Sequence, residues 1–530
     1  MLFNSYVFIF AFTPIVFFGF FYFGKKSHAL ASLWLAAASL FFYGWWDIRY
    51  VGLLLCSILI NYSVSYLIAN WLSYKPTRQS KILLQAAIIA NLILLGYYKY
   101  ANFFLSNVNN LAGTSFPIGE IILPLGVSFF TFTQIAFLVD TYQGKVKNSS
   151  FVNYTLFVTY FPHLIAGPVL HHKEMMPQFA KSTVCHINWE NIALGISIFM
   201  LGLAKKVLIA DSLGDISTPI FSALEAGSHP MLIEAWVGAL SYTLQLYFDF
   251  SAYSDMAIGI SLIFNVRLPM NFYSPYKSTS IIDFWRRWHI TLSRLLRDYL
   301  YIPLGGSRNG KARRYLNLMI TMLLGGLWHG AGWTFVVWGG LHGFYLVLNH
   351  SWRTFKEKMH WGNGGKLLQL GAGLLTFLAV VVGWVFFKSD TVLSAITMLK
   401  GMVGMNGITL PLSLSSKFYD LFGQIDGVVF NGLWPLYTFK ALAVLGIGFT
   451  IVWLMPNLLE IFKEYHPVCD DMKTFEKIHS DKAHTHKDIN VIQQLTQWQP
   501  TKIWATAISF IMILSLLLLN RTSVFLYFQF

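Results

Sequence analysis

The stretch NSYVFIFAFTPIVFFGFFYF, residues 4–23, contains no charged side chain. A helix of about 20 apolar residues is long enough to cross the hydrocarbon core of a bilayer. Similar runs recur along the chain, and only 12% of its 530 residues are charged, about half the share in a typical soluble domain. The first run lacks the basic start and cleavage site of a signal peptide, so we expect it to remain as a span. The sequence therefore predicts an all-α, polytopic membrane protein.

The apolar runs predict about 11–12 membrane crossings, with further re-entrant or interfacial helices. Basic loops at 24–26, 75–81 and 144–148 place the N-terminus outside the cytoplasm. We expect the 232–264 run to be two segments that meet near Asp249. The candidate spans are 4–23, 30–46, 50–72, 82–98, 119–139, 151–168, 190–208, 232–264, 315–328, 332–350, 367–388, 438–456 and 503–520.

The net charge of +14 is expected of basic cytoplasmic loops, and no compact basic domain indicates nucleic-acid binding. No internal repeat stands out, so residues 1–530 are predicted to form a single membrane domain. Within it, the polar segment 462–502 is predicted to be an extramembrane loop. The three cysteines lack the spacing of a zinc site. Histidines 479, 484 and 486 fit a solvated loop better than a metal site, so no metal is expected.

The stretch FWRRWHITLSRLLRDYL, residues 284–300, is predicted to be one two-sided helix. Ser280 and Asp283 have the spacing of a helix cap just before it. Residues three or four apart share a helix face, so one polar stripe is expected, formed by Arg286, His289, Ser293 and Arg297. An interfacial helix whose arginines meet lipid phosphates is the simpler interpretation. It explains His289 less well, because an imidazole offers nothing to a phosphate that a lysine does not.

His329 closes the apolar run in LLGGLWHGAGW, residues 323–333. A helix from Arg314 in the basic loop to His329 would rise about 22 Å, against a hydrocarbon core of about 30 Å. An ionisable group at that depth is costly and indicates a functional site; a neutral histidine hydrogen-bonded to another helix is the alternative. The neighbouring glycines allow either close helix packing or close approach of a ligand. His342 would face another side of its helix and is predicted to be structural.

Several long motifs of this chain resemble the membrane-bound O-acyltransferase family, in particular its bacterial alginate O-acetyltransferase branch. The likeness covers most of residues 1–350, and we match nothing beyond about 390. It implies helices around a central tunnel and two active-site positions, His329 in LWHG and His289 in RRWH. The motifs are LPLGVSFFTFTQIAFLVDTYQG (123–144), YFPHLIAGPV (160–169), LYFDFSAYSDMAIG (246–259), FWRRWHITLSRLLRDYLYIPLGG (284–306) and GGLWHGAGWTFVVWGGLHG (325–343).

Acyl transfer to a hydroxyl needs a base for the alcohol proton and a donor for the oxyanion. We expect His329 to be the base and His289 to orient or polarise the acyl carbonyl. Arg286 or Arg297 is expected at the phosphates of the donor. A transient acyl-histidine is an alternative, and no GxSxG serine elbow is present.

Four further residues complete the predicted site. Ser293 and Trp328 are expected to help bind substrate. Asp249 and Asp255 bracket the expected helix break near 249. We expect these two carboxylates to pair with Arg286, Arg287 or Arg297 and so hold the polar stripe in place, rather than to act in catalysis.

The resemblance implies acetyl-CoA as a cytoplasmic donor, with no permanently bound cofactor. It also implies membrane lipids as partners and a location in the bacterial inner membrane. The acceptor would be an exopolysaccharide such as alginate, or an extracytoplasmic acetyl-carrying partner that resembles SGNH-type esterases. Peptidoglycan or another envelope glycan is the alternative acceptor, and D-alanyl transfer to teichoic acid is a less similar activity. A lipid-linked substrate transporter or flippase, or a structural subunit of a secretion complex, would be a function of another class.

Overall fold

The computed structural model is mostly helical, which confirms the predicted fold class. The chain folds into two compact units. The first contains Met1–Leu203, Ala252–Asn271 and Leu458–Phe530; the second contains Ala204–Ser251 and Phe272–Asn457. That the whole chain forms one membrane domain stays a prediction. The structure describes residues 1–72, 77–117, 119, 121–146, 150–362, 365–423, 425–431, 434–470, 496–519 and 525–526.

The first unit is built on helices that pack through aromatic side chains. Thr13–Lys26 and His28–Gly44 form a hairpin in which Gly19 faces the Trp34 ring, where a Cβ atom would lie 2.4 Å from the indole. Phe8, Phe12 and Phe161 pack together in its core. Its helices are Phe8–Phe12 (π), Thr13–Lys26, His28–Gly44, Arg49–Leu72, Arg78–Leu95, Gly96–Tyr100 (π), Ala101–Ala112, Val127–Tyr142, Phe151–Thr159, His172–Phe179, Ser182–Cys185 (3-10), Trp189–Ala204, Leu458–Ile461, Lys463–Tyr465 (3-10) and Lys502–Leu517.

The second unit is organised around the antiparallel helices Gly310–His329 and Trp333–Lys358. Their backbones approach closely because Gly326 and Gly339 lack side chains: added Cβ atoms would lie 2.3 and 2.4 Å from carbonyl oxygens of the opposite helix. The other elements are the helices Lys205–Ala210 (π), Asp211–Glu225, Pro275–Lys277 (3-10), Ile281–Arg287, Ile290–Leu296, Arg297–Tyr301 (π), Lys366–Lys388, Val392–Met402, Leu412–Leu414 (3-10), Ser415–Phe422 and Trp434–Leu454, and the parallel strand pair Ile408–Pro411 and Val428–Asn431.

Several helices are long and apolar enough to cross a membrane, so the prediction of a multi-pass membrane protein is confirmed. The expected number of crossings and the central tunnel stay predictions. Shorter apolar helices, such as His28–Gly44 and Lys502–Leu517, add to the set. Within the described residues, the five that meet both length and composition are Phe8–Lys26, Arg49–Trp71, Arg78–Ala112, Trp189–Glu225 and Lys366–Lys388.

Two predicted helix boundaries are wrong. The 232–264 region is one continuous helix, Leu232–Ile263, which both units share; the interior contains no proline that would break it. The predicted 119–139 span begins as a helix only at Val127. Pro124 and the left-handed Gly126 (φ 71°) precede that start and oppose an earlier helical turn.

The predicted polar loop 462–502 lies partly outside the described residues, which omit 471–495 and with them histidines 479, 484 and 486. Its two ends are held by hydrogen bonds. The Met270 N–H donates to the Asp470 carboxylate at 2.6 Å, and the Trp498 N–H donates to the Ile461 carbonyl at 2.9 Å.

Candidate active site

His289 lies at a break in the predicted 284–300 helix. The cap is present, with the Asp283 N–H donating to Ser280 Oγ at 3.2 Å, but the first helix ends at Arg287. His289 then adopts a left-handed conformation, φ 42° and ψ 55°, before the second helix begins at Ile290. Left-handed backbone is uncommon outside glycine and marks a position fixed by its surroundings. The prediction of one continuous polar stripe is therefore wrong.

The break has a packing cause in the neighbouring Trp288. Its indole is buried, 3% exposed, against Trp384 (ring centroids 4.9 Å apart) and Phe272 (5.1 Å). An extended backbone at Trp288 sends this ring into the core. His289 then turns the chain so that a second short helix can follow.

The structure brings His289 and His329 to the same indole. His289 is fully buried, with its ring 4.8 Å from Phe250 and 6.0 Å from Trp328. His329 is the last residue of Gly310–His329 and 5% exposed. Its ring lies 4.8 Å from that of Trp328 and 5.3 Å from that of Phe387. Two imidazoles, one at the helix break and one at a helix end, thus border one tryptophan.

Aromatic rings form much of the surroundings of both imidazoles. Trp338 stands edge-on to the His329 ring at 5.0 Å. Such walls exclude water and lower the local dielectric constant, which strengthens hydrogen bonds to a developing charge. The arrangement suits chemistry in which a proton moves and an oxyanion forms without access of bulk water.

The other predicted substrate-binding residues are not aligned on one face. Arg286 is exposed at the end of the first short helix. Arg297 is also exposed and pairs with its neighbour Asp298, with nitrogen–oxygen distances of 2.7 and 3.1 Å. The Ser293 N–H donates to the His289 carbonyl at 3.0 Å. Ser293 therefore belongs to the turn that holds His289. Because Arg297 already pairs with Asp298, Arg286 is the better candidate of the two arginines for binding an anionic ligand.

The buried carboxylate of Asp249 pairs with a lysine, which corrects the expected pairing with an arginine. The Lys206 ammonium lies 2.6 Å from Asp249 Oδ1 and 2.8 Å from Asp211 Oδ1. This ion pair stabilises the Leu232–Ile263 helix at Asp249. The next residue of that helix, Phe250, packs on His289. Asp255, on the same helix, is buried in the first unit. Sequence analysis missed Lys206, although a lysine within a predicted span is itself a signal.

His342 is fully buried and lies among aromatic rings, including Trp338 at 4.9 Å and Trp285 at 5.2 Å. Within the described part of the chain, neither of its ring nitrogens has a hydrogen-bond partner. The absent side chain of Gly383 makes room for it, because a Cβ atom there would lie 2.8 Å from the imidazole Nε2. The structural role expected for His342 stays a prediction.

A second group of histidines, missed by sequence analysis, lies in the first unit. Asp140 Oδ2 is 3.0 Å from His171 Nε2 and 3.2 Å from His172 Nδ1, and the three could offer ligands to a metal ion. However, His171 Nδ1 accepts the Lys173 N–H at 3.3 Å, so its proton is on Nε2 and faces the carboxylate. Lys145 is 3.3 Å from Asp140 Oδ1. This Asp140 cluster is therefore held by hydrogen bonds and an ion pair to the carboxylate, while the buried His172 Nε2 has no hydrogen-bond partner among the described residues. The consecutive histidines at 171–172 were the available signal.

Comparison with known proteins finds a family whose match ends before the C-terminal part of the chain. The sequence model of the membrane-bound O-acyltransferase (MBOAT) family matches residues 16–388. The chain belongs to the MBOAT family. This confirms the resemblance and makes the protein a multi-pass membrane acyltransferase. The match includes both His289 and His329, and residues beyond 388 lie outside it.

Relatives with named activities come from several bacteria. A peptidoglycan O-acetyltransferase of Helicobacter pylori is 46% identical over 80% of this chain and 84% of its own length. A protein named "Probable alginate O-acetylase AlgI" of Pseudomonas aeruginosa is 40% identical over 76% of this chain and 75% of its own. A teichoic acid D-alanyltransferase of Bacillus subtilis is 25% identical over 61% of this MBOAT chain and 82% of its own length.

Proposed function

We propose that this MBOAT protein is an O-acetyltransferase of the bacterial cytoplasmic membrane that moves an acetyl group from cytoplasmic acetyl-CoA to a hydroxyl of an envelope glycan outside. The observation that carries the proposal is the pair of imidazoles, His289 and His329, that border Trp328 within an MBOAT chain. Peptidoglycan is favoured over alginate as the acceptor. The peptidoglycan O-acetyltransferase is 46% identical to this chain, and the alginate relative is 40% identical.

The proposed reaction uses the two histidines in different roles. The His329 imidazole takes the proton of the acceptor hydroxyl as its oxygen attacks the thioester carbonyl. The oxyanion of the tetrahedral intermediate accepts a hydrogen bond from His289. The intermediate then expels the CoA thiolate, which takes the proton back from His329. A transient acyl-histidine is the alternative route, and it would appear as covalent label on the protein in the absence of acceptor.

The acceptor has two forms in this proposal. The glycan hydroxyl could receive the acetyl group directly, or an extracytoplasmic partner that resembles SGNH-type esterases could carry it. Alginate stays the second candidate glycan, supported by the alginate O-acetylase relatives. Membrane lipids surround the protein, and acetyl-CoA is a substrate rather than a bound cofactor.

The test uses purified protein in lipid nanodiscs, with acetyl-CoA and either peptidoglycan fragments or alginate oligomers. The wild type is expected to release CoA and to acetylate the peptidoglycan fragments faster than the alginate oligomers. His329→Ala is expected to lower kcat by about 10²–10⁴-fold, the usual effect of losing a general base. The matched control is His229→Ala, which removes an exposed histidine of the second unit.

Each contrary result has a separate meaning. Full transfer by correctly folded His329→Ala would show that His329 is not the base. No CoA release by the wild type, combined with movement of a lipid-linked substrate across the bilayer, would favour the transporter hypothesis. Faster acetylation of alginate than of peptidoglycan would reverse the order of the two acceptors.

A further inference from the structure

Three buried aromatic rings surround the His329 imidazole. The ring centroids of Trp328, Trp338 and Phe387 lie 4.8, 5.0 and 5.3 Å from that of His329. The three rings are steeply inclined to the imidazole, at interplanar angles of 76°, 84° and 73°. Their side chains are 5%, 1% and 3% exposed. We define these three rings as the aromatic enclosure of His329.

Phe387 comes from a different helix than the rest of the enclosure. Trp328 and Trp338 belong to the close-packed helix pair that carries His329. Phe387 is instead the penultimate residue of Lys366–Lys388. A substitution at Phe387 therefore changes the space beside the imidazole without removing a side chain from the helix pair that positions it.

Phe387 is also held in place by other aromatic neighbours. Its ring contacts those of Phe335 and Trp384, at centroid distances of 5.1 and 5.4 Å. Phe335 is itself seated over Gly330, where a Cβ atom would lie 2.1 Å from the ring. Because protein interiors are close-packed, Phe387 has little freedom to move away and admit a larger group beside His329.

The enclosure restricts the group attached to the reacting carbon. In the proposed reaction, the acceptor oxygen contacts His329 and attacks the acyl carbon, so that carbon lies close to the imidazole. The rest of the acyl group must then fit among the rings around His329. An acetyl group brings one methyl group there, and each added methylene would overpack rings that are already in contact.

We propose that Phe387 is a specificity-determining residue that, together with Trp328 and Trp338, limits the transferred acyl group to acetyl. This inference rests on the proposed function and narrows its donor to the shortest acyl thioesters. The bonds that change are the same for every acyl length. The C–S bond of the thioester breaks, an ester C–O bond forms, and the hydroxyl proton ends on the CoA sulfur.

The test is a donor series of acetyl-, propionyl- and butyryl-CoA, with the purified full-length protein in nanodiscs and peptidoglycan fragments as acceptor. One methylene in an apolar pocket changes kcat/KM by about 10–200-fold. The wild type should therefore use propionyl-CoA about tenfold or more less well than acetyl-CoA. Phe387→Ala should raise the propionyl-to-acetyl ratio of kcat/KM by about tenfold. Phe387→Leu removes less volume, should raise the ratio by a smaller factor, and keeps the test decisive if Phe387→Ala does not fold.

Phe377→Ala is the matched control, because it makes the same change at another buried phenylalanine of the same helix. Phe377 is 6% exposed, and its ring packs on those of Tyr276 and Trp453. Both substitutions empty a buried site and should lower stability. Only the substitution at Phe387 should change the ratio of propionyl to acetyl transfer.

A purely structural role for Phe387 predicts a different result. Phe387→Ala and Phe387→Leu would then lower kcat/KM for acetyl-CoA and propionyl-CoA by the same factor, and the ratio would keep its wild-type value. A wild type that used propionyl-CoA as well as acetyl-CoA would also overturn the proposal, because the enclosure would then not limit acyl length.

Binding measurements separate this proposal from the proposed function. Ketone analogues of the donors, with a methylene group inserted between sulfur and carbonyl, bind but cannot release CoA. If no glycan were acetylated, isothermal titration calorimetry with the acetyl and butyryl analogues would still decide. The wild type should bind the acetyl analogue about tenfold or more tightly than the butyryl analogue, and Phe387→Leu should reduce that difference. Equal affinities of the wild type for the two analogues, or no binding of either, would overturn the proposal.

Discussion

Two pairs of histidines in this protein have different neighbours, although three of the four side chains are buried. His171 and His172 direct ring nitrogens at the Asp140 carboxylate, 3.0 and 3.2 Å away. His289 and His329 lie against aromatic rings, with Trp328 common to both. A carboxylate beside an imidazole accepts a hydrogen bond from it and so fixes which ring nitrogen carries the proton. Aromatic rings line the space around His289 and His329. We therefore expect the neighbours of these histidines, rather than their burial, to separate a structural group from the proposed catalytic one.

The largest effect within this comparison is expected at the proposed catalytic pair. His289→Gly removes the imidazole, and glycine accepts the left-handed backbone at this position without strain. We expect acetyl transfer to fall about 100-fold or more because the oxyanion loses a hydrogen-bond donor, with the protein still folded by thermal denaturation. His171→Ala is the counterpart from the structural group. A kcat that falls as far in His171→Ala as in His289→Gly would contradict the division of these histidines into a structural and a catalytic group.

An intermediate effect is expected for Asp140→Ala. Two imidazoles and the Lys145 ammonium would lose their common acceptor. His172 is the buried one of the three, and a buried unsatisfied donor costs about 1–3 kcal/mol. The free energy of unfolding should fall by about 2–4 kcal/mol, measured by denaturation in detergent, while kcat per folded molecule stays within about threefold.

Metal analysis is the control for that experiment. A stoichiometric transition metal in the wild type that disappears in Asp140→Ala would contradict the hydrogen-bonded interpretation of this cluster. It would place a metal centre where the distances now indicate only hydrogen bonds.

The smallest effect is expected at the edge of the Asp140 cluster. The Lys145 side chain is 44% exposed, so its ion pair is screened by water and contributes at most about 1 kcal/mol. Lys145→Ala should change the melting temperature by little, and less than Asp140→Ala does. A loss of stability equal to that of Asp140→Ala would show that the ion pair, and not the imidazole hydrogen bonds, holds the cluster together.

The sequence predicted features that depend on local patterns. The Gly310–His329 helix and the cap at Ser280 follow from apolar periodicity and cap chemistry. Gly326, one of the glycines near His329 for which the sequence left two roles open, lies at a close approach of two helices. These features are readable because the residues that cause them are near neighbours in the chain.

Features that depend on distant residues were missed. The helix break at His289 follows from the burial of Trp288 against Trp384, 96 positions later. The ion pair of Asp249 joins residues 43 positions apart, and its lysine lies in a run that otherwise reads as an ordinary span. No local pattern specifies which of several charged groups a buried carboxylate will pair with. The sequence therefore predicted an arginine as the partner of Asp249, and the structure has a lysine.

The left-handed backbone of His289 also narrows which amino acids can occupy that position. Asparagine, aspartate and histidine are the residues other than glycine most often found in this conformation. The resemblance to the MBOAT family implies the same three types at this active-site position. The φ angle of 42° at His289 thus favours side chains that are short or planar and able to form a hydrogen bond. It disfavours branched aliphatic side chains. The backbone conformation and the proposed reaction therefore favour the same few residue types at position 289.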